Sequence, residues 1–285
     1  MTKRLVGLVL HSDAESVRPQ NDLLTSELKR QGVETVTISG VCSVTDFDVM
    51  PELIVVLGGD GTILKAAEYT HALGVPLLGF NLGRVGFLAE AEISDIDTVV
   101  TSIVQRSWSP ETRIMIGVSV WRAGAEVYSS FAVNEVALEK VARELMVELR
   151  VSVDGSPLMA WAGDGIVVST PTGSTAYAFS AGGPVIWPTA NVLLAVPISA
   201  HALFAKPIVV SPESNISVEV LSHAAIATLD GRRKTDLVEG DVVTVTKFPQ
   251  TLLFARVHST SFTQRLVAKF RLPTSGWREM REDHA

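Results

Sequence analysis

Hydrophobic residues follow two different patterns along the chain. Up to residue 110, two kinds of segment alternate. One kind is mostly polar, with apolar residues at helical spacing; the other is a continuous apolar run, at Arg4 to Leu10, Val33 to Ile38, Leu53 to Leu57 and Val75 to Phe80. Continuous apolar runs are typical of strands buried on both faces of a parallel sheet. Ser94 to Asp97 also matches a capping box before a helical pattern that starts at Ile96. Residues 1–110 are therefore predicted to form a doubly wound parallel α/β domain.

From residue 111 to residue 261 the hydrophobic period changes to two. Many short alternating segments are separated by Gly and Pro, and the pair Asp154-Gly155 closes one of them as a turn. This pattern of short alternating segments predicts an antiparallel, β-sandwich-like domain over 111–261. Phe262 to Phe270 is again helical in pattern. We expect this C-terminal helix to return to the first domain, which would then comprise 1–110 and 262–285.

Composition limits the classes of partner. The 285 residues carry a formal net charge of −7, which provides no basic field for nucleic acid or for an anionic membrane. The single Cys42 excludes an internal disulfide and fits a reducing compartment. The apolar run that ends at Leu10 is too short to span a bilayer. We expect a cytoplasmic protein without nucleic-acid or membrane partners.

The glycine-rich stretch Gly58-Gly59-Asp60-Gly61-Thr62 lies between an apolar strand and a helical pattern. Glycines let a ligand approach the backbone closely, and the amides at the start of a helix attract anions. The stretch predicts a phosphate-binding turn with a carboxylate inside it. The alternative is an ordinary strand-to-helix turn in which Asp60 caps the helix.

A second unusual stretch runs from Gly163 to Pro184. It combines Asp164, an apolar strand, a series of small hydroxyl residues and Tyr177. Glycines and small donors allow a flat ligand to lie against the backbone, and a tyrosine ring can stack on it or donate a hydrogen bond. The alternative is a Ser/Thr-rich turn before a short helix, with Asp164 serving a tight turn.

Taken together, these motifs resemble those of the bacterial NAD kinase family. The resemblance rests on the following segments, which come in the family's order: 58–62, Asn81 to Leu88, Asn134-Glu135, 163–184, His201-Ala202-Leu203 with Lys206-Pro207, and Asp230-Gly231. The glycine-rich turn alone is shared with diacylglycerol, sphingosine and phosphofructokinases. The segment 164–183 is much more specific. Lys206 stands where many family members have arginine, which leaves the role of its side chain open. The role of His201 is also left open.

The resemblance implies phosphoryl transfer from ATP, or from inorganic polyphosphate, to the 2′-hydroxyl of the adenosine ribose of NAD. It implies Asp60 as the general base and Mg²⁺ held mainly by the substrate phosphates. The phosphate ligands would be Gly58, Gly59, Gly61 and Thr62. The implied NAD-binding residues are Asn134, Glu135, Asp164, Thr172, Thr175, Ala176, Tyr177 and Ser180. Family members are usually dimers or tetramers, so a homodimer or homotetramer is expected.

Several alternative interpretations of the function and of single residues remain open. A lipid kinase of the same superfamily would share the glycine-rich turn, although it would need a basic or apolar docking surface. A dinucleotide sensor without catalysis would keep the NAD pocket. Asn134 and Glu135 interrupt the apolar run Phe131 to Leu138; adjacent residues of one strand face opposite sides, so at most one of them can be a simple solvent position. The basic run Arg232 to Lys234 is expected on a solvated hairpin.

Overall fold

The computed structural model describes residues 3–81, 86–89, 91–92, 95–257 and 261–274. The chain divides into two compact units, the first made of 1–111 and 253–285 and the second of 112–252. The return to the first unit thus begins at Leu253, whereas the sequence placed it at 262. Ser94 of the predicted capping box and residues 82–85 of the family motif lie outside the described residues.

The first unit is a parallel α/β structure, as predicted. In chain order its elements are β1 (Arg4–Leu10), α1 (Arg18–Arg30), β2 (Val33–Thr37), β3 (Leu53–Leu57), α2 (Asp60–Thr70), β4 (Leu77–Asn81), β5 (Ala91–Glu92) and α3 (Ile96–Gln105). Short 3-10 turns at Glu15–Val17, Val44–Asp46 and His71–Leu73 extend or connect them. The strands pair in parallel in the order β2, β1, β3, β4. Gly32 and Gly74, which end two helical segments, have φ of 77° and 64°, as helix C-terminal glycines do.

Helices cover both faces of this sheet. Leu24 of α1 and Val99 of α3 share one core cluster with Leu78 of β4. Helix α2 lies on the opposite face, where a Cβ on Gly79 would be 2.4 Å from the Cδ1 of Ile63, and successive strand residues face opposite sides. Full burial of Ile63 contributes about 1.5–3 kcal/mol by removing its side chain from water. This packing fixes where α2 begins, and with it the glycine-rich turn.

The second unit is antiparallel, also as predicted. Its elements are β6 (Ser109–Arg122), β7 (Ala125–Ala132), β8 (Glu135–Lys140), β9 (Val147–Val153), β10 (Ser156–Gly163), β11 (Gly165–Ser169), a 3-10 turn (Gly173–Thr175), α4 (Tyr177–Ser180), β12 (Leu193–Ile198), β13 (Ile208–Val210), β14 (Ile216–Ser222), β15 (Ala225–Leu229), β16 (Arg233–Leu237) and β17 (Val242–Arg256). Strands β6 and β17 each cross the boundary between the units in sequence. Asp154 and Gly155 have φ of 51° and 77° and join β9 to β10, as the predicted turn pair requires.

Two sheets pack face to face in this unit. One has the strand order β13, β12, β11, β8, β15, β16, and the other contains β10, β9, β14 and β17 with β6 and β7 beside them. Leu138 and Ile166 of the first sheet share a core cluster with Leu149 and Val218 of the second. Strands β8 and β11 pair residue by residue from Glu135 with Ser169 to Glu139 with Gly165. That register aligns the start of β8 with the end of β11.

The last helix, α5 (Phe262–Phe270), belongs to the first unit and has the bounds that the sequence predicts. Ser261 forms a capping box with Gln264 at its start. The ring of Phe87 packs against both Phe262 and Phe270, with ring centres 5.9 Å and 5.8 Å apart. Within the described part of the chain, no helix is both long and apolar enough to cross a membrane.

Candidate active site

The glycine-rich turn follows β3, whose five residues are all buried. A Cβ on Gly58 would lie 2.3 Å from the Oγ1 of Thr62, so the turn requires glycine there. The amide of Gly58 donates to the carbonyl of Phe80, and the amide of Thr62 donates to the carbonyl of Gly59. Gly59 and Gly61 are exposed at the start of α2, while Thr62 is buried. Of the four predicted phosphate ligands, Gly59 and Gly61 therefore present the most accessible backbone.

Asp60 does not cap its own helix. The N-cap residue of α2 is Gly59, and no side chain caps the helix there. The carboxylate of Asp60 instead accepts the amides of Phe87 at 3.0 Å and Leu88 at 3.1 Å, one on each oxygen. A Cβ on Gly86 would be 2.3 Å from Oδ1 of Asp60, so glycine is also needed here for this approach. Because a carboxylate oxygen has two acceptor positions, each oxygen of Asp60 keeps one for another donor.

His11 lies next to this turn, at the carboxyl end of β1. Its backbone amide donates to the carbonyl of Leu57 at 2.9 Å. The ring Nδ1 accepts the amide of Asp13 at 3.2 Å, which in the neutral imidazole places the proton on Nε2. The only signal for this arrangement in the sequence is the position of His11 at a strand end.

The pair Asn134-Glu135 lies at a break between strands. The apolar run Phe131 to Leu138 was expected to be one strand, but β7 ends at Ala132 and β8 begins at Glu135. Both residues of the pair are buried, with 9% and 7% of their surface exposed. Neither residue therefore occupies the solvent-facing position that the sequence left open for one of them.

The break is held by a buried carboxylate from a distant turn. Asp230 accepts the amide of Asn134 at 2.7 Å and the amide of Val133 at 3.0 and 3.1 Å. Arg233 donates to Asp230 at 3.0 Å and lies over the ring of Phe131, 4.5 Å from its centre. Arg233 of the basic run is thus partly buried, whereas Arg232 and Lys234 are exposed as predicted.

Glu135 is the most perturbed acid of this region. Burial, followed by the nearby charge of Asp230, raises its pKa to about 8, while the amide of Tyr177 acts in the opposite direction. Its Oε2 is buried and has no hydrogen-bond partner among the described residues. Burial also raises the pKa of Asp230, against the lowering effect of its amide donors and Arg233. Asp230 has several donors and Glu135 has one, so the proton of the pair belongs on Glu135.

The segment after β11 folds back over the same break. Thr170 donates its amide to the carbonyl of Asn134 and its hydroxyl to the carbonyl of Val133. A Cβ on Gly173 would be 2.3 Å from the carbonyl oxygen of Asn134, so this glycine permits the close approach. The fold therefore brings the start of the predicted NAD-binding segment against Asn134-Glu135.

The remaining residues of the segment have different surroundings. Thr172 is buried and accepts a hydrogen bond from Arg113 at 3.2 Å. Thr175 and Ala176 are partly exposed, whereas Ser180 is exposed and donates to the carbonyl of Tyr177. The hydroxyl of Tyr177 donates to Glu139 at 2.6 Å. Burial, and then this carboxylate, raise the pKa of Tyr177.

A cleft of about 340 Å³ is lined by both Asp164 and Tyr177. Its other lining residues are Glu139, Lys140, Val141, Arg143 and Ile198. Lys140 forms an ion pair with Asp164 at 2.7 Å, and this contact, followed by the hydroxyl of Ser199, lowers the pKa of Asp164. Lys140 and Glu139 carried no motif in the sequence, because their partners come from other strands.

The described residues contain no group of three or more His, Cys, Asp or Glu side chains that could hold a metal ion. Mg²⁺ usually keeps several waters and binds substrate phosphates with few protein ligands, so its binding does not require such a group.

The first unit has a glycine-rich turn with an acid inside it at the carboxyl end of a parallel strand, where nucleotide phosphates bind in α/β proteins. The antiparallel unit has a cleft lined by Asp164 and Tyr177. Together these features indicate a nucleotide-binding phosphotransferase. Comparison with known proteins specifies the family. The ATP-NAD kinase N-terminal domain matches residues 9–108 and the ATP-NAD kinase C-terminal domain matches residues 133–257. NAD kinase 2 of Streptomyces coelicolor is 55% identical over 229 residues, which cover 80% of this chain and 76% of the relative. The chain belongs to the ATP-NAD kinase family.

Two solved structures share the fold. An NAD kinase from Archaeoglobus fulgidus in complex with ATP superposes with a TM-score of 0.73 at 29% identity, covering 94% of this chain and 98% of that one. Yeast NADH kinase complexed with NADH gives a TM-score of 0.85 at 20% identity, over 96% and 89% of the two chains. The second comparison supports the fold alone.

Proposed function

We propose that the protein transfers a phosphoryl group from ATP to the 2′-hydroxyl of the adenosine ribose of NAD, giving NADP and ADP. The observation that carries this proposal is the turn Gly58–Thr62 in a chain of this family, with Asp60 held beside two exposed glycines. ATP is the ligand in the Archaeoglobus fulgidus relative. The family assignment does not favour a lipid kinase.

Asp60 is the proposed general base. A ribose hydroxyl is a poor nucleophile, and a carboxylate that accepts its proton accelerates such a step by about a hundred- to ten-thousand-fold. The amides of Phe87 and Leu88 fix the orientation of the carboxylate and leave each of its oxygens able to accept one more donor. In this proposal the amides of the exposed residues Gly59 and Gly61 bind phosphate oxygens of the donor.

NAD is assigned to the second unit. In the proposed arrangement Asn134 and Glu135 bind the adenosine, together with Thr172, Thr175, Ala176, Tyr177 and Ser180, and Asp164 binds the carboxamide end. Two observations support it. The segment 170–173 packs against the Asn134-Glu135 break, and Asp164 and Tyr177 line one cleft.

Mg²⁺ is the proposed metal, and it would neutralise the charge of the transferred phosphoryl group. The substrate phosphates and water would supply most of its ligands. Inorganic polyphosphate is proposed as a second donor, because a turn that binds phosphates through backbone amides does not require the adenosine. We also propose a cytoplasmic enzyme that forms a homodimer or homotetramer.

The test is to incubate purified protein with NAD, Mg²⁺ and either ATP or polyphosphate, and to measure NADP with an NADP-specific dehydrogenase. NADP should form with ATP, stop on addition of EDTA and return with excess Mg²⁺. Failure to form NADP with either donor would contradict the proposal. Tight NAD binding without any product would instead identify a dinucleotide sensor.

A further inference from the structure

The Asn134-Glu135 break depends on a carboxylate that has no part in the proposed chemistry. The side chain of Asp230 is almost fully buried, at 1% exposure. It accepts both amides at the break, those of Val133 and Asn134. The amide of Asp230 itself donates to the carbonyl of Glu135 at 3.0 Å. The turn therefore binds the backbone on both sides of the Asn134 side chain.

Burying two acids beside each other costs free energy. A buried carboxylate is stabilised by its amide donors and by Arg233, but a second acid beside it, Glu135, adds repulsion. Glu135 has a buried oxygen without a partner among the described residues. A pair of acids of this kind retains one proton more readily than an isolated acid would.

We propose that Asp230 is a positioning residue for NAD binding: its carboxylate sets the backbone of Asn134 and Glu135 and keeps Glu135 in its neutral, proton-donating form. This inference rests on the proposed function, since it requires that Glu135 contacts NAD. Asp230 does not touch the substrate in this scheme and acts through its two neighbours. A neutral Glu135 can donate its O–H to an acceptor of the adenosine, which a carboxylate cannot do.

The charged and titratable groups around Glu135, within the described part of the chain, come from two directions. Asp230 and Arg233 approach from the β15–β16 turn and from β16, and Tyr177 approaches from α4. The hydroxyl of Tyr177 is bound to Glu139. Asp230 is therefore the group whose charge can be removed with a direct effect on the protonation of Glu135.

The experiment measures NAD affinity by titration calorimetry at pH values on both sides of about 8, the pKa of Glu135. In the unchanged protein, NAD affinity should fall as the pH rises through this value, because Glu135 loses its proton. Asp230→Asn should weaken NAD by about tenfold or more, as loss of a charged hydrogen-bond acceptor does, and should move the midpoint of the fall to lower pH. ATP affinity should stay unchanged.

Asp241→Asn is the matched control. Asp241 is also buried, accepts a backbone amide from Val238 and pairs with an arginine, Arg122. Its replacement should cost stability without moving the pH midpoint for NAD. Arg233→Gln provides a second, opposite test, because removing the cation beside the acid pair should move the midpoint to higher pH. These opposite shifts keep the proposal falsifiable even if Asp230→Asn folds poorly.

Three results would overturn the proposal: an unchanged midpoint in both Asp230→Asn and Arg233→Gln, an equal shift in Asp241→Asn, or no NAD binding by the unchanged protein. The assay reports binding and not turnover. NAD binding with the expected shifts, but without NADP formation, would therefore contradict the proposed reaction and leave the role of Asp230 supported.

Discussion

Replacement of Asp60 by asparagine tests the proposed general base, because it removes a charge with almost no change in volume. The two oxygens of Asp60 accept the amides of Phe87 and Leu88 at 3.0 and 3.1 Å. An asparagine side chain has one acceptor oxygen, so its NH₂ group would face the other backbone N–H. The substitution thus has a structural effect in addition to any chemical one.

The two effects can be separated by their size and by where they are measured. Loss of a hydrogen bond to a charged acceptor costs about 1.5–3 kcal/mol, and this cost belongs to the stability of the loop. Loss of a general base lowers turnover by about a hundred- to ten-thousand-fold, or roughly 2.7–5.4 kcal/mol in the activation free energy. We expect Asp60→Asn to lower kcat by about a hundredfold or more and to leave NAD affinity nearly intact.

Gly86→Ala is the matched control for the structural part. Its new Cβ would lie 2.3 Å from Oδ1 of Asp60, so it disturbs the same contact while it keeps the carboxylate. Steady-state NADP formation, NAD calorimetry and thermal unfolding should be measured on both variants. Gly86→Ala should lose stability but less turnover than Asp60→Asn. Equal losses of kcat in the two variants, or a loss of NAD binding as large as the loss of turnover, would refute the base assignment.

Three further predictions concern the second unit. Tyr177→Ala should weaken NAD more than ATP because it removes the ring, while Tyr177→Phe should keep most of the affinity; calorimetry showing the reverse order would mean that the two nucleotide sites are exchanged. Lys140→Met removes the main cause of the lowered pKa of Asp164. On acidification, this variant should therefore lose NAD affinity at a higher pH than the unchanged protein, and an unaltered acid limb would count against the role of Asp164. Burial raises the pKa of Glu135 from 4.5 to about 8, so the stability that it contributes is fully present below the lower value and is lost as the pH rises through the upper one. Relative to Glu135→Gln, urea unfolding should show stability falling across this window, and parallel pH profiles would disprove the buried protonated state.

The sequence was sufficient for the parallel unit because strands buried on both faces contain almost no polar residues. The bounds of β1, Arg4–Leu10, and of β3, Leu53–Leu57, are those that the apolar runs predict. Strand β10 was not predicted. Residues 158–162 are all apolar, although Leu158 is exposed and Trp161 is buried. The sequence therefore lacks the alternation of apolar and polar residues on which the prediction of strands relies.

The site was predictable where it is local in sequence. The turn Gly58–Thr62 and the segment 163–184 were found because their residue types are unusual for their positions. The break before Glu135 was not found, since it depends on Asp230, 96 residues further along the chain. Likewise, Arg233 could not be distinguished from its exposed neighbours, because its burial depends on Phe131 and on Asp230.

The first unit is built from two separate segments of the chain, 1–111 and 253–285, and this has a consequence for folding during protein synthesis. Phe254 of β17 pairs with Leu77 of β4, and Ala255 belongs to the core that contains Leu24 and Val99. The ribosome makes these two residues only after the whole of the second unit, 112–252. While the second unit is translated, the nascent first unit therefore has an incomplete core, and β4 lacks its pairing with β17. A gene fragment that stops at Glu111 should yield an aggregation-prone polypeptide, whereas the inserted second unit is complete as soon as it has left the ribosome.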